Sequence, residues 1–489
     1  MNSPIQPAFS AAERYRSYLT VDGYAQLLAA ANQPAHPAVR VNLLKNPDPP
    51  QAFGRWSERY AWQSKPISFA PNAWQVSSAQ TSPGQTIEHR FGYYYLQDAA
   101  SILPVNLFSE LPHGGLTLDM AASPGGKTTQ LVDSTDDNNL VVANDSSANR
   151  LQALRVVLLT WGAANTAITN FAGEKIGVWF PETFDRVLLD APCSMEGLRV
   201  SASHPFRPIT VGERERLAAR QLALLESAVS AAKIGAEVVY STCTLAPEED
   251  EAVLSAFLEK HPGTARVDES PQSMLNAPGL TEFEGRNFNP QTAASLRLWP
   301  HLAGTNGFFA AKLIKTAALK LPRQLPPTRP FKKTGLELLE EKVRVALLRE
   351  LADLYGFDFS PEFEKRDLHL YRREQQLFLL PGQFLRHFSE LPYYAFGFPF
   401  GRWSGSNFEL SAEIVSRFGD RFNSNVWIIP DDLIAQWLKG AEIRGASIAS
   451  CRNASIIAVR DGDGRNLGAG KNLPGRLRNL LPSRALLSP

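Results

Sequence analysis

At 489 residues the chain is too long for one ordinary core, and 44% hydrophobic against 20% charged residues is an ordinary globular balance. Fifty basic and 49 acidic side chains leave a net charge of +1, so bulk charge argues neither for nor against a polyanionic partner, which only local basic patches could bind. No apolar run approaches the ~18 residues that span a bilayer, the first residues lack a basic-then-apolar leader, and the three cysteines make neither a disulfide framework nor a zinc site, so the expectation is a cytoplasmic protein with no membrane and no metal.

Residues 1–105 form a mixed α+β segment. "VRVNLLK" (Val39 to Lys45) is a short strand with basic residues at each end, and "FGYYYLQDAASILPVNLF" (Phe91 to Phe108) runs from strand to helix. The three adjacent tyrosines, Tyr93, Tyr94 and Tyr95, suit core packing better than base stacking. From 106 to 316 short apolar runs alternate with helical stretches: "LTLDMA", "NLVVAND", "TAITN", "FDRVLLD", "AEVVYST" and "GFFAAKLI" as strands, "SANRLQALRVVLLTWG" and "ERLAARQLALLESAVSAAKIG" as helices. This alternation predicts an α/β fold with a doubly wound, mainly parallel sheet. A proline-rich and basic linker spans 317–333. Residues 334–410 begin with a helix and continue with aromatic-rich strands, and 411–489 are strand-like with a basic end: Arg465, Lys471, Arg476, Arg478 and Arg484, with no acid after Arg465.

In "LTLDMAASPGGKTTQLV", Asp119 ends a strand and Gly125–Gly126 sit in the turn that opens a helix. In a doubly wound sheet the first such turn is where a nucleotide-like ligand meets the backbone, and glycine removes the Cβ that would block it. A phosphate-gripping P-loop is excluded, because the glycine it requires five positions before Gly126 is Ala121. No G-x-G-x-x-G fingerprint occurs either. The next strand ends in Asp145, whose carboxylate can accept both ribose hydroxyls of an adenosine. The combination suits S-adenosylmethionine better than a phosphate-rich cofactor.

"LLDAPCSMEG" (Leu188 to Gly197) and "VVYSTCT" (Val238 to Thr244) place Cys193 and Cys243 beyond the ends of two further strands, together with Asp190. Carboxyl ends of parallel strands share one crevice. Cys451, in "SIASCRNASI", suits an ordinary buried thiol. A thiol beside a methyl donor is not needed to methylate an exocyclic amine, and the Asn/Asp-Pro-Pro-aromatic turn of such enzymes is replaced here by "DAPCS". Carbon 5 of a pyrimidine does need one. A thiolate adding to carbon 6 makes an enamine whose carbon 5 can attack the methyl, after which proton loss and elimination free the enzyme. A base held in a helix must first be unstacked to reach such a pocket.

"DMAASPGGKTTQL", "LLDAPCSMEG", "VVYSTCTLAPEEDEAV" and "GTNGFFAAKL", with "RVNLLK" and "LQDAAS" upstream, resemble the NOL1/NOP2/Sun RNA cytosine-C5 methyltransferases over residues 35 to 315. Chain length and the ending "LGAGKNLPGRLRNLLPSRAL" resemble the bacterial branch acting on small-subunit (16S) ribosomal RNA. The resemblance implies a Rossmann-like methyltransferase domain, a small N-terminal RNA-binding subdomain and a C-terminal PUA-like RNA-binding domain over 411–489. It implies a monomer whose partner is ribosomal RNA or the small subunit. It implies Cys243 as nucleophile, Cys193 in product release and Asp190 between cofactor and cytosine. Ala121, Ala122, Ser123, Pro124, Gly125, Gly126 and Lys127 would line the cofactor loop, with Asp190 beside them and Asp145 on the ribose. The sequence departs from the family at Met195, where glycine is usual, at Ala172, where an acid often stands, at Asp145, where the bacterial branch often has Glu, and in "RVSASHPFRP". Methylation of another RNA, such as transfer RNA, and a non-catalytic RNA-binding assembly factor stay open as alternatives.

Overall fold

The computed structural model describes residues 12–198, 209–275, 277–405, 407–445, 448 and 451–486. The departure from the family in 199–208 lies outside the described residues.

The N-terminal part is a four-stranded antiparallel sheet of β1 (Pro37–Val41), β2 (Gln63–Ile67), β3 (Ala70–Ser78) and β4 (Tyr94–Asp98), in the order β2-β3-β1-β4. Its apolar face packs on the helix Pro49–Arg59 through Phe53 and Trp56, and Tyr93 and Tyr94 are buried there. The chain then enters the central sheet through β5 (Leu116–Asp119), α1 (Gly126–Asp133), β6 (Leu140–Asn144), α2 (Ala148–Trp161), β7 (Thr166–Thr169), α3 (Gly173–Trp179), β8 (Phe184–Asp190), α4 (Val211–Ala231), β9 (Ala232–Thr242), α5 (Glu251–Lys260) and β10 (Ala265–Val267). Strands β7, β6, β5, β8 and β9 are adjacent and parallel in that order, and the antiparallel strand Phe308–Lys315 lies beside β9. This is the expected doubly wound sheet, with its switch of direction beside β5.

Both faces of this sheet are covered, so its strands are nearly continuous apolar runs. Leu118, Val142, Val187 and Val238 pack on α4 and α5 on one side. Val141, Ala143, Leu188 and Val239 pack on α1 and α2 on the other, alternate residues of each strand taking opposite faces. Helix α4 opens on a capping box, in which the Thr210 hydroxyl accepts from the Glu213 N–H at 3.3 Å. Helix α2 buries Leu151, Leu154, Leu158 and Trp161 and ends at Gly162, whose φ of +93° is the left-handed stop.

Two antiparallel-rich sheets follow. One joins Glu337–Leu338, Leu368–Arg373, Gln376–Pro381, Phe398–Ser404 and Asn407–Leu410; the other joins Val426–Ile428, Ile443–Arg444, Ile456–Arg460, Asn466–Leu473 and Arg476–Asn479. The short strand Ala395–Phe396, within the segment 334–410, pairs with β7 and extends the central sheet.

The basic end of the chain is not a free arm. Lys471, Arg476 and Arg478 lie in two paired strands. Arg465 pairs with Glu88 and Asp461, Lys471 with Glu409, Arg476 with Glu442 and Arg484 with Glu413. Arg465 therefore ties the last sheet to the N-terminal one, and Trp437, Ile457 and Leu467 share a core with Trp56 and Phe91.

Candidate active site

Strands β8 and β9 are in register at Asp190 and Ser241. Cys193 follows the first strand by three residues and Cys243 directly follows the second. The two sulfurs stand 3.2 Å apart. Cys243 is exposed and Cys193 half-buried. The hydrogen bond to Cys243, and then burial, push the Cys193 thiol well above its ordinary range. Cys193 therefore holds its proton more tightly than a free thiol does, within hydrogen-bond reach of the exposed Cys243 sulfur. Cys451 lies far off in the C-terminal core, its thiol 3.4 Å from the Val426 carbonyl.

Asp190 accepts from Lys127 Nζ at 2.7 Å and from the Ser241 hydroxyl at 2.8 Å. Burial works against the Lys127 ammonium, but the neighbouring Asp190 charge prevails and holds it above the usual lysine range. An ion pair thus joins the first turn of α1 to the end of β8, near Cys243. Burial lifts the Asp119 carboxyl to about 7, although the Thr128 hydroxyl donates to it at 2.8 Å.

The loop 121–127 turns on Gly125, whose φ is +117°. A Cβ there would lie 2.9 Å from Val157 Cγ1, and one on Gly126 would lie 2.9 Å from Tyr95 Cε1. The glycines are needed for the left-handed turn and for packing against α2 and Tyr95, rather than to leave a bare surface for ligand. Asp145 is buried and accepts from the N–H groups of Ser123, at 3.2 Å, and Ser147, at 2.8 Å. A carboxylate has about four acceptor positions, so two remain for a ribose diol. The loop backbone, Asp145 and Asp190 thus fit an adenosine-bearing methyl donor. Ala172, at the head of α3, has no hydrogen-bonding side chain to offer an adenine.

Several supports were not evident from the sequence. Arg40 of "RVNLLK" is fully buried and donates to Asp133 at 2.7 Å, Thr129 at 2.6 Å and the Gly126 carbonyl at 3.0 Å, clamping α1. Glu249 accepts from the Ser194 N–H and from Gln221, both at 2.9 Å, and burial raises its carboxyl. Leu245 N–H donates to the Glu196 carbonyl, and Gly307 N–H to the Gly197 carbonyl at 2.8 Å, so the Pro-Cys, Thr-Cys and "GTNG" segments are laced together. Arg297 is fully buried and joins Glu251, Asp250 and the Leu245 carbonyl. The acids of "LAPEEDEAV" were a signal, but their basic partner lies about fifty residues on.

Met195 has a φ of +62° and is 53% exposed. Glycine suits that conformation better than an L side chain does.

A family model described as 16S rRNA methyltransferase RsmB/F matches residues 109–314, and one described as the N-terminal domain of 16S rRNA methyltransferase RsmF matches residues 9–99. Ribosomal RNA small subunit methyltransferase F of Pectobacterium carotovorum subsp. carotovorum (strain PC1) is 30% identical over 477 residues, covering 95% of this chain and 92% of that protein. Its namesake in Shewanella oneidensis is 29% identical over 471 residues, covering 95% of this chain and 93% of that protein. Among solved structures, a methyltransferase homolog protein from Pyrococcus horikoshii superposes with a TM-score of 0.55 at 27% identity, covering 65% of this chain and all of its own. NSun6 from Pyrococcus horikoshii, solved with SFG, shares the fold with a TM-score of 0.51 at 19% identity, covering 63% of this chain and 98% of its own.

Proposed function

The chain belongs to the RsmB/F family of 16S rRNA methyltransferases, and on that premise we propose that it methylates carbon 5 of a cytosine in small-subunit ribosomal RNA through a covalent adduct on Cys243. The observation that carries this reading is the exposed Cys243 sulfur, 3.2 Å from a Cys193 thiol that stays protonated.

S-adenosylmethionine supplies an electrophilic methyl when bound; Ala121–Lys127, Asp145 and Asp190 would hold it. The Cys243 thiolate forms an S–C6 bond, and the C5=C6 electron pair is displaced into the ring, which makes carbon 5 nucleophilic enough to take the methyl. Loss of the C5 proton to solvent leaves the C5–H electron pair to rebuild C5=C6, and the S–C6 pair departs on sulfur, releasing the Cys243 thiolate. The Cys193 S–H, already hydrogen-bonded to that sulfur, stabilises it as a leaving group. Asp190, held by Lys127 and Ser241, is placed to accept from the cytosine edge. Residues 411–489 serve in this reading as a PUA-like RNA-binding module.

The test is transfer of labelled methyl from S-adenosylmethionine to small-subunit RNA, followed by bisulfite mapping. Cys243→Ala is expected to lose transfer, and Cys193→Ala to accumulate a protein–RNA adduct that survives denaturing gels. Wild-type turnover by Cys243→Ala would remove the nucleophile assignment, and 5-methylcytosine found only in transfer RNA would remove the substrate.

A further inference from the structure

Two adjoining cavities run where α2, the sheet containing Leu368–Arg373 and the last sheet meet, sharing Arg155, Arg373, Phe378 and Pro399 in their walls. The groove is strongly basic for a chain of net charge +1. Arg155 comes from the exposed face of α2, Arg373 and Arg402 from the first C-terminal sheet, and Lys471 and Arg478 from the last one. Glu409 is the single carboxylate in its walls, and it accepts from both Arg402 and Lys471. Among the described residues Arg155, Arg373 and Arg478 have no carboxylate partner. Their charges face the groove uncompensated, in contrast to Arg465, Arg476 and Arg484 of the same basic end.

The floor is apolar and aromatic. Arg373 lies over the Phe378 ring, 5.3 Å from its centroid. Tyr394 is 44% exposed in the wall, its hydroxyl bonded to Gln152 at 3.1 Å. The groove begins at the β7 edge of the central sheet, where Ala395–Phe396 fixes the wall to that strand. Unpaired cations following a groove, with aromatic faces between them, form the pattern that binds single-stranded nucleic acid. An acidic protein would also meet the charge, but it would not need the aromatic floor.

We propose that this three-module groove holds a single-stranded segment of the substrate RNA away from the reacting cytosine, with Arg155, Arg373 and Arg478 on its phosphates. The proposal rests on the ribosomal RNA reading above for the identity of the strand. Segments drawn from the methyltransferase domain and from both C-terminal sheets then bind one strand, which fixes the RNA against the catalytic domain.

The test is fluorescence anisotropy of a labelled oligouridylate against the full-length protein over a potassium chloride series. The triple variant Arg155→Glu/Arg373→Glu/Arg478→Glu is expected to bind at least about tenfold more weakly, with the slope of log affinity on log salt falling by about 2, or ~0.7 for each lost phosphate contact. S-adenosylmethionine binding by calorimetry is expected to be unchanged, which certifies the fold. Each single reversal, at an exposed side chain, is expected to give a proportionate part of the loss. Lys260→Glu, on α5 at the opposite end of the sheet, is expected to give none. Wild-type affinity and slope in the triple variant would overturn the groove. Equal loss with a duplex of the same length would overturn the single-stranded assignment. Methyl transfer by the wild-type protein, measured in parallel, tests the ribosomal RNA reading separately from the groove.

Discussion

Cys193 Sγ lies 3.2 Å from Cys243 Sγ, each just past the end of one of two neighbouring parallel strands. A disulfide needs about 2.05 Å between sulfurs, so a shift of roughly 1 Å would join them. A thiol-oxidising diazene such as diamide is therefore expected to take two electrons and two protons from the pair, link residues 193 and 243, and stop methyl transfer. Dithiothreitol should restore it. Peptide mapping checks the linkage; a mixed adduct on Cys243 alone, with Cys193 still free, would contradict the geometry. Cys451, buried elsewhere, should stay reduced.

Met195 holds a left-handed φ of +62° with its side chain largely in solvent. That conformation costs an L residue about 1–2 kcal/mol, partly offset in a glycine variant by about 0.5–1 kcal/mol of extra unfolded-state entropy. Met195→Gly is thus expected to be more stable, by up to about 1 kcal/mol, and calorimetry should show a melting temperature higher by one or a few degrees. Met195→Ala keeps its Cβ and should gain nothing. Equal melting of Met195→Gly and Met195→Ala would mean that the strain is relieved in solution.

Arg297 is fully buried against Asp250 and Glu251, and donates to the Leu245 carbonyl at 2.7 Å. Removing one side of such a cluster leaves buried carboxylates without a counter-charge, at a cost of about 3–5 kcal/mol. Arg297→Met should lower the melting temperature by several degrees. Because Leu245 is two residues from Cys243, it should also lower kcat for methyl transfer in the protein that remains folded. Arg297→Lys should rescue little, since a single ammonium cannot reproduce the bidentate fork on Glu251.

The strand ends that meet at the candidate site were legible because parallel buried strands are apolar runs that stop at an acid or a thiol: Asp119, Asp145, Asp190 and Cys243 fall where those runs stop. What the sequence hid has long-range causes. The left-handed turn at Met195 is a backbone property with no local signature beyond a missing glycine. The pairings of Arg465, Lys471, Arg476 and Arg484 were hidden because Glu88, Glu409, Glu442 and Glu413 are scattered through the chain. The two-residue strand Ala395–Phe396 is too short for any periodicity to reveal, yet it joins a C-terminal segment to β7. Arg297 was hidden because the acids it joins, Asp250 and Glu251, lie more than forty residues earlier in the chain.

Asp119 supplies a pH dependence with a definite sign. Burial raises its folded carboxyl to about 7, and the Asp190 charge nearby adds to this. The folded state therefore binds this proton more tightly than the unfolded chain, where an aspartate titrates near about 3.9. Between about pH 4 and pH 7 the folded protein carries more of this proton than the unfolded one, so stability falls as pH rises through that window and is level above it. At about 1.36 kcal/mol per unit, the full effect approaches about 4 kcal/mol. Asp119→Asn keeps an acceptor for the Thr128 hydroxyl, which donates at 2.8 Å, and removes the titration. Melting temperature against pH should accordingly be flatter in Asp119→Asn than in the parent between pH 5 and 7, with the variant the more stable of the two at pH 8. Parallel curves for the two proteins would mean that Asp119 is ionised in the folded state throughout, and that Lys127 offsets its burial.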